Sequence, residues 1–153
     1  MRIPKAQRDA RQEAFARACA QAGVRRTPQR EAIFQVVAGT DEHPDAETVH
    51  RRLRARLPHL SHDTVYRALA LFEELGLIRK VGVASDRARF DPNAEAHHHF
   101  VCTACGAIQD VTDPALDRIR PPAAARQLGR VTSTQVEMRG ICRRCQRKRD
   151  RKA

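Results

Sequence analysis

Three observations predict an α+β chain built from an N-terminal winged helix-turn-helix domain and a small C-terminal α/β domain with a four-cysteine zinc site. Apolar residues recur at helical spacing in four capped segments of the first half. Two short strand candidates follow the fourth segment, and the second half carries two Cys-x-x-Cys pairs. At 153 residues the chain can hold one domain or two small ones with modest cores. The reading here is a first domain over 1–91, a hinge over 92–96 and a second domain over 97–153.

Residues 5–22 place Phe15, Ala18, Cys19 and Ala22 on one stripe, and Gly23 follows as a stop. Cys19 on that stripe reads as a small core residue rather than a reactive thiol. Thr27 and Pro28 are an N-cap and a first-turn proline for a helix that buries Ile33, Phe34 and Val37 and ends near Gly39. The loop GTDEHPD carries His43 and ends in Asp45, the cap of a third helix burying Val49, Leu53 and Leu57 before Pro58. Ser61 caps a fourth, whose Val65, Ala68, Leu69, Phe72 and Leu75 form the buried stripe and whose Gly76 closes it. Asp63 and Arg67 point away from that stripe and Tyr66 lies on its flank. LIRKV and ARFD are strands around the turn signal GVASD, which completes the winged order. The second helix of such a pair enters a major groove with its N-terminal residues at the base edges.

Pro92 and Asn93, with Ala94, Glu95 and Ala96, form the hinge. Beyond it HHHFVC and AIQDV read as strands around a Cys-x-x-Cys-Gly turn, DPALDRI opens a helix that Pro121 and Pro122 interrupt, and RVTSTQVEMRG alternates as a strand does. The final QRKRDRKA reads as a frayed basic tail.

Charge and cysteine usage narrow the function. Lys and Arg number 29 against 18 Asp and Glu, for a formal net charge of +11 and a pI of about 10.6. A chain this basic points to an anionic partner, most commonly nucleic acid. No apolar run approaches the ~18 residues of a membrane span, and MRIPKAQRDARQE is charged where a signal peptide is apolar, so the expectation is a cytoplasmic protein with no membrane partner. Thiols stay reduced there, and paired Cys-x-x-Cys motifs argue for metal over disulfides.

Cys102, Cys105, Cys142 and Cys145 can supply four thiolates to one tetrahedral zinc ion, provided that the 36 residues between the pairs fold back to join them. Redox dithiols are the alternative. A closed four-thiolate site stabilises structure rather than catalysing. His97 and His99 leave the same face of their strand while His98 leaves the other. With Asp91 and Asp110 they suggest a nitrogen and oxygen site for a ferrous, manganous or zinc ion, whose weaker occupants exchange as a sensor requires. Scattered surface histidines are the bland alternative.

GVRRTPQREAIFQVV, EHPDAETVHRRL, SHDTVYRALALFEELGLI, RFDPNAEAHHHFVCTACGAIQDV and GICRRC together resemble the ferric uptake regulator (Fur) family of bacterial metal-dependent repressors, most closely its peroxide-sensing branch. The resemblance implies a homodimer, with the small C-terminal α/β domain as its dimerisation domain, that binds an operator, an inverted repeat in double-stranded DNA, and is not an enzyme. It assigns structural Zn2+ to the four cysteines and a regulatory Fe2+ or Mn2+ to His43, Asp91, His97, His99 and Asp110. By the same likeness His43 and His97 are the residues open to oxidation, to 2-oxo-histidine. The placement of the fourth helix, rather than the likeness, makes Ser61, His62, Thr64, Tyr66 and Arg67, with Arg25 and Arg30, the DNA-contacting candidates, against the alternative of a solvated helix face. Ser133 and Thr134 stand where iron-responsive relatives often carry a histidine of a second regulatory site. Three rivals remain: a reversible iron-, zinc- or manganese-responsive repressor using the same residues, a metallohydrolase, and a zinc-ribbon RNA-binding or adaptor module. The hydrolase needs an open coordination position and a placed base, and the adaptor leaves five His and Asp residues idle.

Overall fold

The computed structural model describes residues 3–81, 88–93 and 95–151, and the chain forms two compact units, residues 1–94 and 95–153. In the first, α1 (Lys5–Gln21), α2 (Pro28–Ala38), α3 (Ala46–Leu53) and α4 (His62–Glu74) precede β1 (Arg79–Val81) and β2 (Arg89–Asp91). Three caps set the starts of α2, α3 and α4: Thr27 accepts from the Arg30 amide, Asp45 from Thr48 and Ser61 from Thr64. Gly76, at φ +68°, ends α4 in a left-handed conformation that a side chain would disfavour. At the centre of the core Phe15, Phe34 and Phe72 meet, with ring centroids 4.6, 5.5 and 5.4 Å apart in stacked and edge-on pairs. Cys19 is buried among them, and burial raises its thiol pKa.

One helix is shorter than its apolar spacing predicts. α3 ends at Leu53, where the amides of Arg56 and Leu57 both turn back to the Leu53 carbonyl. Pro58 disfavours the helical region for Leu57. Leu57 still packs against the core from this turn. The wing strands are antiparallel, pairing Arg79 with Asp91 and Val81 with Arg89. The predicted GVASD turn between them lies outside the described residues.

The second unit is a three-stranded sheet of order β4-β3-β5, formed by β3 (His98–Cys102), β4 (Ile108–Val111) and β5 (Glu137–Gly140). β3 runs antiparallel to β4 and parallel to β5, with Cys102 opposite Gly140. Between β4 and β5 lie two short helices, α5 (Pro114–Asp117) and α6 (Ala123–Leu128), and α7 (Arg143–Asp150) closes the unit. DPALDRI yields one turn of helix, after which the chain restarts behind Pro122. Of RVTSTQVEMRG only Glu137–Gly140 is strand, because β3 offers partners over that length alone. The tail predicted to fray is helical to Asp150, since Cys142 stands at its N-cap and Arg, Lys and Gln are good helix formers. Arg147, Lys148 and Arg149 sit in its last turn, where the helix dipole favours cations.

Candidate functional site

The parallel pairing of β3 with β5 brings the two Cys-x-x-Cys turns together. The sulfurs of Cys102, Cys105, Cys142 and Cys145 all lie within 4.8 Å of one another, and Cys105 and Cys142 are 3.8 Å apart. A tetrahedron with zinc–sulfur arms of ~2.3 Å has edges of about 3.8 Å, so this spacing fits zinc and is far too long for a disulfide. The local backbone favours thiolate. The Cys142 amide donates to Cys102 Sγ at 3.3 Å and is the largest cause of the fall in the Cys102 pKa to about 6. The Ala107 amide does the same for Cys105, lowering its pKa, and Arg144 adds a contact to Cys105 Sγ at 3.8 Å. Cys145, hydrogen-bonded to Cys105 and Cys142, is pushed up to about 12. Four crowded sulfurs cannot all ionise without a cation among them. The N-terminus of α7 adds its partial positive charge beside Cys142 and Cys145.

A second donor set lies elsewhere on the same sheet. His99 pairs with Asp110 across β3 and β4, so the two side chains share a face. His97 joins them: its Nε2 is 2.9 Å from His99 Nε2 and 3.6 Å from Asp110 Oδ1, which is 3.9 Å from His99 Nε2. The three donors converge closely enough to share a divalent ion. His98 faces away, with Nε2 at 3.2 Å from Asp117 Oδ1 and Nδ1 accepting from the Val136 amide. His98 is thus spent on packing the unit, as the alternation predicts.

In the first unit His43 and Asp91 are both buried, with Nε2 and Oδ1 3.5 Å apart. His43 holds φ +48°, a left-handed backbone that costs a non-glycine residue on the order of 1 kcal/mol. Arg89 keeps it there: its guanidinium donates to the carbonyls of His43 and Glu42, and Asp45 bridges to Arg89 across the backbone. Arg89 was not among the predicted site residues. Its place two residues before Asp91 on the same strand face is the signal that points to it.

At the start of α4, Tyr66 is 58% exposed. Arg67 and Asp63, both well exposed, form an ion pair at 2.8 Å, and such a pair is worth at most about 1 kcal/mol, so it yields readily to a phosphate or a base. Ser61 and Thr64 are occupied with the cap, their hydroxyls 2.8 Å apart. His62 stacks on His50 with centroids 3.7 Å apart, and Glu47 lies 3.5 Å from its Nδ1, contacts that fix α4 against α3 and that sequence pattern does not disclose. Arg30 donates to the Arg25 carbonyl at 2.6 Å, and Arg25 itself is exposed in the loop that leads into α2.

Together these features define a winged helix-turn-helix protein with an appended, thiolate-rich metal-binding sheet unit. The ferric uptake regulator family model matches residues 21–139. Over 128 residues the chain is 35% identical to the peroxide-responsive repressor PerR of Staphylococcus aureus, covering 84% of this chain and 86% of that one. The ferric uptake regulator Fur of Helicobacter pylori, a protein with three functional metal-binding sites, has the same fold, at a TM-score of 0.75, 22% identity and coverage of 95% and 97%. A zinc uptake regulator complexed with zinc and DNA superimposes with a TM-score of 0.65 at 27% identity, covering 92% of this chain and 97% of that one. The chain belongs to the ferric uptake regulator family of metal-dependent repressors.

Proposed function

We propose that this chain is a cytoplasmic, non-enzymatic repressor that binds an inverted-repeat operator as a homodimer and releases it when hydrogen peroxide oxidises its regulatory site. The observation that carries the reading is the convergence of His97, His99 and Asp110 in a chain 35% identical to a peroxide-responsive repressor. In this reading Cys102, Cys105, Cys142 and Cys145 hold a structural zinc ion. His43 and Asp91 complete the regulatory set with His97, His99 and Asp110, a donor set of imidazole and carboxylate suited to Fe2+ or Mn2+. The domains divide as 1–91, a hinge over 92–96, and 97–153. Among the described residues no helix is long and apolar enough to cross a membrane, in keeping with a DNA-bound partner.

The chemistry supplied by bound ferrous ion is one-electron reduction of peroxide beside the imidazoles of His43 and His97. The chain's own residues turn that into a DNA response. His43 lies two residues before Asp45, the cap of α3, and Arg89 ties the loop to the strand that carries Asp91. A change at His43 therefore bears directly on the helix-turn-helix, through a backbone already held in an unfavourable conformation. A coupling of ~1–3 kcal/mol is what such a linkage typically delivers. Tyr66 and Arg67 would read base edges, with Ser61, His62, Thr64, Arg25 and Arg30 around them on the backbone.

The test is a gel shift on an operator selected from random duplex, with manganese or iron, with and without low peroxide, followed by mass spectrometry. Iron-loaded protein is expected to lose DNA and gain one oxygen on His43 or His97, while manganese-loaded protein keeps its DNA. Iron-loaded protein that keeps DNA through peroxide with unmodified histidines would make the chain a reversible metal-responsive repressor instead.

A further inference from the structure

The residues from Arg143 to Arg151 carry six cations against one acid, a large share of the chain's formal charge of +11. They are folded as a helix that their own charges oppose. Arg143 with Arg147, Arg144 with Lys148, and Arg147 with Arg151 are like charges four apart, and Arg143 and Arg144 sit at the positive end of the helix dipole. What anchors the helix is its first turn, where Cys142 and Cys145 belong to the thiol cluster and Arg144 contacts Cys105. The remaining cations face outward. Among the described residues none of Arg143, Arg147, Lys148, Arg149 and Arg151 pairs with a carboxylate, and Arg143, Arg144, Arg147, Lys148 and Arg151 line a concavity of about 360 Å3.

We infer that the outer face of α7 is a second, sequence-independent contact for the phosphates of duplex DNA. The inference rests on the reading of the chain as a DNA-binding protein and adds a surface that the helix-turn-helix does not use. Arg143, Arg147 and Arg151 repeat every ~6 Å along the axis, a linear array suited to a linear polyanion. The array is mostly arginine, whose planar fork engages phosphate in two bonds. A membrane surface fits poorly, because α7 has no apolar face of large side chains to insert. Single-stranded nucleic acid fits poorly too, since Phe100 is the one Phe, Tyr or Trp of residues 95–153 and stacking needs such platforms.

The experiment uses the full-length, zinc-loaded protein and a random-sequence duplex of about four helical turns, followed by fluorescence anisotropy across a range of salt. Three proteins are compared: wild type, the triple variant Arg143→Gln, Arg147→Gln, Arg151→Gln, and the matching triple Arg→Lys variant. Arg144 is left intact because it touches the thiol cluster, and zinc content verifies that each protein is loaded. Neutralising three phosphate contacts per protomer lowers the slope of log affinity against log salt by about 2.7 for each α7 that meets the duplex, so doubling the salt costs wild type at least roughly sixfold more affinity than the glutamine variant. The lysine variant is expected to keep the wild-type slope. Equal slopes for wild type and the glutamine variant would overturn the inference while leaving the helix-turn-helix reading intact. Failure of wild type to bind any duplex would instead remove the DNA-binding reading itself, and this inference with it. Loss of binding to anionic phosphatidylserine vesicles or polyglutamate, with duplex binding unchanged, would assign α7 to another partner and overturn the inference.

Discussion

The first unit buries a continuous apolar cluster that runs from Phe15 on α1 through Ile33, Val49 and Phe72 to Phe90 on β2, whereas the second buries only Cys102 and Ile108 among its described apolar residues. Four of the second unit's large apolar side chains lie outside, Ile119, Val131 and Ile141 exposed and Leu128 92% exposed, while others such as Phe100, Val101 and Met138 are only half-buried. Burying a leucine- or phenylalanine-sized side chain stabilises by roughly 1.5–3 kcal/mol, so the first unit can hold itself together by transfer of apolar surface from water. The second has too little to offset the chain entropy of its residues. Its sheet depends on a cross-link, which the four sulfurs are placed to make, and its exposed leucine and isoleucines are the surface a partner subunit would cover in the proposed dimer. The two units therefore answer to different perturbations.

The largest effect expected on either side of this contrast follows from removing the metal. Cys102→Ser should unfold the second unit, because structural zinc contributes on the order of 10 kcal/mol in small modules, comparable to the whole stability of a domain this size. Hydrogen exchange localises the damage. The amides of His99 and Cys102, which donate to Val136 and Ala107, should lose protection while those of α2 and α4 keep theirs. Protected β3 amides in a zinc-free mutant would show that the sheet stands on packing after all.

Phe34→Ala is the opposite perturbation. It leaves a void between Phe15 and Phe72, and such truncations cost about 3–5 kcal/mol. The melting temperature of the first unit should fall, with one tightly bound zinc per chain unchanged by metal analysis. Co-release of zinc on that mutation would mean that the two units share one cooperative transition.

The same contrast governs how much could be read from sequence. In the first unit local chemistry and tertiary packing agree: Thr27, Asp45 and Ser61 announce three helices, and the stripes they open are the buried ones. In the second unit the determinants are distant partners. The alternation of RVTSTQVEMRG promised a longer strand than β3 has residues to pair with, and the basic tail looked unfit for order until its first turn proved to be part of the cysteine cluster. The cysteines themselves were legible, because thiolate pairs at fixed spacing have few other uses. Their approach across 36 residues was not, since it depends on the parallel register of β3 with β5. Strand alternation puts Arg89 on the face of Asp91, but sequence pattern does not disclose its reach to the His43 carbonyl 46 residues away, nor the stacking of His50 on His62.

The smallest expected effect on stability carries the most about function. Asp110→Glu keeps the charge of the carboxylate and extends it by one methylene, about 1.5 Å. The side chain is about a quarter exposed and has room for that length, so neither the sheet nor the zinc content should change. Asp110 Oδ1 stands 3.6 Å from His97 Nε2 and 3.9 Å from His99 Nε2, so the longer arm shifts the oxygen relative to both imidazoles without withdrawing it. Metal affinity, followed through manganese-dependent DNA binding, should change by less than about tenfold, which is roughly 1.4 kcal/mol. Oxidation should respond more strongly, because the yield of modified histidine depends on how peroxide meets the ion, and ligand placement sets that approach. A mutant that binds DNA with either metal yet gains little oxygen on His43 and His97 under peroxide would separate holding the metal from sensing with it. If the mutant is oxidised as fast as wild type, the length of this carboxylate is irrelevant to sensing, and specificity for peroxide must be sought in the backbone that Arg89 holds around His43.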